Sequence, residues 1–167
     1  MRLALVLLAF LPLQAMAGNQ IYEPLADSVR QRLHEQVADQ AAPALYFRSA
    51  EAGSRWLDAM EKRLAKRIPD RKQRLELLRT VHYEALRARL DPQLVLGVIE
   101  VESGFRKYAV SKAGARGFMQ VMPFWVKQIG TPDQNLFNLR TNLRYGTVIL
   151  RHYLDIENGD YYRALGR

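Results

Sequence analysis

Apolar residues recur along this chain at helical spacing. Leu25, Val29, Leu33 and Val37 stand four apart, and after Pro43 the same step carries Trp56, Met60, Leu64 and Ile68 up to Pro69. Such a rhythm lays one apolar stripe along a helix. Asp70 is the expected N-cap of a third helix bearing Leu75, Leu78, Ala85 and Leu86. Asp91-Pro92 marks the next start, a capping side chain followed by a proline whose missing N–H costs nothing at the first helical position. That helix runs to Ser103, where Gly104 stops it. A loop with Gly114 and Gly117 follows, with a short helical piece expected around Met119, and Pro123 opens another helix to Gly130. Turns fill Thr131 to Asn138; Leu139, Leu143, Thr147, Leu150 and Leu154 then mark a long last helix, and a further one opens near Asp160. Sustained alternation of period two is absent, so the expected fold class is all-α.

The first seventeen residues have a different character. Arg2 precedes the apolar run Leu3 to Leu13, and Ala15-Met16-Ala17 supplies the small-x-small pattern of a cleavage site. The reading is a signal peptide over 1–17, a mature start at Gly18, and a periplasmic or secreted protein. No cysteine follows the site to carry a lipid, so no stable membrane anchor is expected after cleavage. The remainder divides into a helical N-terminal region, 18–90, and a second unit, 91–167.

Composition narrows the chemistry. The 167 residues are 49% hydrophobic and 25% charged, with ten glycines and seven prolines, which excludes collagen-like and disordered classes. Without cysteine there is no disulfide, thiolate metal site or Cys nucleophile. The three histidines, His34, His82 and His152, are too scattered for a metal motif, so neither metal nor cofactor is expected. The net charge of +8 favours acidic partners. Export argues against nucleic acid. Between Lys62 and Arg74 lie seven basic residues and one acid, a solvated helix face or a docking surface for an anionic polymer.

Glu102 is the chemically interesting carboxylate. On a helical wheel Leu94, Val98 and Val101, joined by Val95, define an apolar face, and Glu102 falls inside it, whereas Glu100 points away. Burial and a helix C-terminal position both raise a carboxyl pKa, which suits a general acid. An ion pair with Arg106 would be the structural alternative, and the helix alone leaves both open.

The residues that follow carry a resemblance. Glu102-Ser103-Gly104-Phe105, then Ser111 to Gly117 (SKAGARG) and Phe118-Met119-Gln120-Val121-Met122-Pro123, resemble the catalytic domain of lytic transglycosylases of the soluble-lytic-transglycosylase type. Asn135-Leu136-Phe137-Asn138, Asn142 to Gly146 and Tyr153-Leu154 are similar to its later blocks. The resemblance implies a lysozyme-like α-helical fold. It implies cleavage of the β-1,4 bond between N-acetylmuramic acid and N-acetylglucosamine in peptidoglycan. Where common glycosidases use two carboxylates, this family uses one. Glu102 would protonate the glycosidic oxygen and then take a proton from the muramyl C6 hydroxyl, closing a 1,6-anhydro ring.

By the same resemblance Ser111, Gln120, Met119 and Met122 would bind substrate, glycan strands would be the partner, and the N-terminal helices could dock an envelope protein. The family's Tyr-Asn motif would begin about where Arg167 stands, so the site is expected to be C-terminally incomplete and weakly active. A hydrolysing muramidase, or a catalytically impaired peptidoglycan-binding or assembly protein, are the alternatives on the same fold.

Overall fold

A computed structural model of the chain describes residues 20–38, 47 and 49–167. The leader assigned to 1–17 lies outside the described residues, as does Pro43. Seven α-helices are present among those described: α1 (Asp27–Ala38), α2 (Ala50–Leu64), α3 (Arg71–Arg87), α4 (Pro92–Ser103), α5 (Phe124–Ile129), α6 (Leu139–Ile156) and α7 (Tyr161–Leu165). None is long and apolar enough to cross a membrane.

Local chemistry starts most of them. Ser49, Asp70, Asp91, Asn138 and Asp160 each accept a backbone N–H of the first turn of α2, α3, α4, α6 and α7, satisfying donors that a helix leaves unpaired. Gly104 ends α4 in the left-handed conformation, its N–H donating to the Glu100 carbonyl.

Packing then builds outward from α6, where 142–150 and 152–154 are all buried; a helix covered on every side belongs at the centre of a core. α3 contacts it and also α2 and α4, α1 contacts α5 and α6, and α7 packs on α6. α1 adds Leu33 and Val37 to the core, and His34 Nδ1 donates to the Ile129 carbonyl at 3.0 Å. α3 stands ahead of the Asp91 boundary, yet the bond that ties it to α6 is the most deeply buried ion pair described. Glu84, fully buried, accepts from Arg144 Nη2 at 2.8 Å and Nε at 3.2 Å, and from Arg87 Nε at 3.3 Å.

Two expectations change. The buried stripe of α4 is Val95, Leu96, Ile99 and Ser103, and Val101 is 66% exposed. Leu94 and Val98 sit at the stripe's edge, half-buried. The helix is rotated from the expected face, turning the row 95–99–103 inward, and it contacts α3. The segment around Met119 is a turn, not a helix, flanked by single antiparallel bridges from Arg116 to Val110 and to Val121.

Candidate active site

The last turn of α4 delivers Glu102 to the floor of a small cavity of about 60 Å³. Its walls come from Val98 of α4, Met119 and Val121 of the loop, Gly146, Ile149, Leu150 and Tyr153 of α6, and Ala164, Leu165 and Arg167 at the chain end, with Gln20 opposite. Most of these residues are apolar, and no second Asp or Glu side chain is among them. Glu102 Oε2 is sealed from solvent and has no hydrogen-bond partner. Desolvation therefore pushes the Glu102 carboxyl above the ordinary glutamate range.

The Arg106 alternative is not what forms. Arg106 Nε turns back to the Ser103 carbonyl at 2.9 Å. Glu100, on the other side of α4, is exposed and faces Arg67 at 3.5 Å. The two glutamates thus sit in different environments, one exposed and paired, the other half-buried with one carboxylate oxygen sealed and unpartnered. A sealed acid oxygen left without a partner destabilises the fold, and such groups concentrate at functional sites.

Asn142 holds the loop over this acid. Its Oδ1 accepts from Met119 N at 2.8 Å, and its Nδ2 donates to the carbonyls of Arg116 at 2.8 Å and Leu136 at 2.9 Å. One fully buried amide on α6 therefore fixes three points of backbone. Gly146, one turn on, leaves the hollow that Met119 occupies: a Cβ there would lie 2.4 Å from Met119 Sδ. Gly117 is needed for two reasons, its φ of +77° and a Cβ position 2.7 Å from the Leu136 carbonyl oxygen. Gly117→Ala is expected to dislodge the Asn142 clamp, lowering the thermal midpoint by several degrees, an effect of about 2 kcal/mol. Calorimetry of the variant checks this, and Gly104→Ala, where the added Cβ meets open space, should cost less.

Of the residues assigned to substrate binding from the sequence, only Met119 lines the Glu102 cavity. Ser111 stands on the loop, its Oγ accepting from Ala115 N at 3.1 Å. Gln120 is buried with a φ of +47°, and its Nε2 donates to the carbonyls of Gly117 at 2.9 Å and Ala109 at 3.2 Å. Met122 is half-buried against the core. Asn142, Gly146 and Tyr153 had no separate site assignment. Their signal was the spacing of 142, 146, 149, 150 and 153 along one helix, which sets them on one side of α6. No three His, Asp or Glu side chains converge as metal ligands among the described residues.

Residues 79–166, just over half of the chain, match the family described as Transglycosylase SLT domain. The chain belongs to that family. The match begins inside α3, ahead of Asp91, consistent with the ion pair that joins α3 to α6. Among similar proteins is the membrane-bound lytic murein transglycosylase C of Actinobacillus pleuropneumoniae serotype 5b (strain L20), 39% identical over 99 residues, covering 54% of this chain and 26% of that protein. The transglycosylase of Enterobacteria phage PRD1 is 35% identical over 91 residues, covering 54% of this chain and 33% of that one. The chain thus spans about a quarter to a third of the length of these relatives. No solved structure matches it. The all-α architecture agrees with the lysozyme-like fold expected of this family.

Proposed function

We propose that the protein is a peptidoglycan lytic transglycosylase, cleaving the β-1,4 bond between N-acetylmuramic acid and N-acetylglucosamine and leaving a 1,6-anhydromuramyl end. The observation that carries this is the unpaired, desolvated carboxyl of Glu102 in a cavity without a second acid. A raised pKa favours the protonated form, from which the group gives its proton to the glycosidic oxygen. As the bond to C1 breaks, the carboxylate so formed takes the C6 hydroxyl proton, and O6 closes on C1. The apolar walls from Val98, Ile149 and Leu150 disfavour water as the competing nucleophile.

Met119 would meet the sugar beside Glu102. Ser111, with its Oγ lone pair engaged by Ala115 N, would donate to substrate, and Gln120, with Nε2 engaged twice, would accept through Oε1. Met122 would contribute an apolar surface nearby. Export through the 1–17 leader to the periplasm or medium belongs to the same reading, with glycan strands as the partner. The 18–90 helices would support the catalytic unit 91–167 or dock an envelope protein.

Digestion of purified sacculi tests the reaction type. Mass spectrometry should show muropeptides one water lighter than hydrolytic products. Full-mass reducing ends would assign a muramidase, and binding to sacculi without any released fragment would assign an inactive binding protein.

A further inference from the structure

A second concavity, of about 910 Å³, opens where the first turns of α3 and α6 meet the segment after α4. Its lining includes Lys72, Arg79, Lys107 and Arg140 above an apolar floor of Leu75 and Leu139. Lys72, Arg79 and Lys107 are exposed and share no ion pair with a carboxylate among the described residues. Arg71, also at the rim, is already held by Glu61 at 2.7 Å. Glu76 is the one acid in the lining.

Arg140 adds to the imbalance. The single charge of Glu84 is divided among Arg87, Arg144 and Arg140, and Arg140 Nε comes no nearer than 3.8 Å, beyond hydrogen-bonding range. Arg140 Nε and Nη2 are buried without a hydrogen-bond partner. The groove therefore holds more positive charge than its own acids neutralise, which favours an anionic occupant.

We propose that this groove binds the stem peptides of the glycan strand through their free carboxylates, with Arg79 and Lys107 as the main charged contacts. The inference rests on the transglycosylase reading, which makes peptide-bearing strands the polymer at hand. One feature favours a peptide over a phosphate-rich polymer: the apolar Leu75 and Leu139 in the lining suit the methyl groups of alanine residues. Lys107 also follows Glu102 by five residues, so a strand engaged at Glu102 has a basic surface on the adjoining segment. The basic run read from the sequence contributes only partly. Arg74 is buried against the Ile68 and Pro69 carbonyls at 2.7 Å, Arg67 faces Glu100, and only Arg71 and Lys72 of that run reach the groove.

The test is binding of a synthetic stem tetrapeptide carrying free carboxylates, followed by calorimetry or NMR shifts, so that turnover is not required. Arg79→Gln/Lys107→Gln should weaken it about tenfold or more, the scale of losing charge-assisted contacts. Lys62→Gln/Lys66→Gln, an equal charge change elsewhere, should bind as the parent does. The groove variant should also lose preference for peptide-bearing over peptide-stripped strands. Equal binding by parent and groove variant overturns the proposal. So does an equal loss in both double variants, or groove-dependent binding of anionic phospholipid vesicles without peptide binding. If the peptide binds the groove but no strand is cleaved, the transglycosylase reading fails and the site stands.

Discussion

Glu102→Gln is expected to reduce release of anhydromuropeptides by a factor of about 10² to 10⁴, the usual contribution of a positioned general acid. The substitution keeps the side chain's size while removing the proton it must donate and the carboxylate it must become. Stability should move the other way. Because burial raises the folded-state pKa of Glu102 above its unfolded value, its contribution to stability is full below the unfolded pKa and is lost as pH rises through the folded one. Above that folded-state pKa the parent carries a desolvated carboxylate, and the glutamine variant does not. Its melting temperature should equal or exceed the parent's, separating loss of chemistry from loss of fold. Glu100→Gln, on a solvated residue facing Arg67, should keep most activity. Activity lost in Glu100→Gln but kept in Glu102→Gln would invert the assignment.

The largest stability effect is expected at Glu84. Removing its charge leaves the buried guanidinium of Arg144 without its counterion, and breaking such a pair from one side costs about 3–5 kcal/mol. For a domain of this size that lowers the melting temperature by roughly 10 °C. Glu84→Gln followed by chemical denaturation measures it directly. Replacing both partners, as Glu84→Leu/Arg144→Met, should recover part of the loss, because no buried charge is then left unpaired within that pair. A single variant within about 1 kcal/mol of the parent, the ordinary range of point substitutions, would remove Glu84 from its role as the tie between α3 and α6.

These two glutamates also show what was legible in the sequence. Helix starts were, because a cap acts on neighbours two or three residues away: Asp70, Asp91 and Asp160 lie where the chain alone places them. Glu102 was legible as an acid on a partly apolar face followed by a recognisable block of residues. The orientation of its helix was not. Apolar letters at 94, 98 and 101 are equally consistent with a core and with the edge of an open site, and the packing of distant segments selects 95, 99 and 103 for burial. The segment around Met119 reads as helical from its neighbours alone, because the constraint that makes it a turn comes from Asn142, twenty-three residues on, and from positive φ angles at Gly117 and Gln120. Nothing near Glu84 in the chain marks it, because its arginine in α6 is sixty positions away. What escaped is the long-range part, where a side chain's meaning depends on which distant segment packs against it.

The ionisation of Glu102 itself is the most direct test. Carbon-labelled glutamate followed by NMR across pH, beside the rate on sacculi over the same range, reports whether this half-buried carboxyl is the working acid. A titration midpoint above the ordinary glutamate value of 4.5, with the rate falling at high pH on that same midpoint, is the predicted result. A carboxyl that titrates at or below 4.5, or a rate indifferent to its ionisation, would contradict the account.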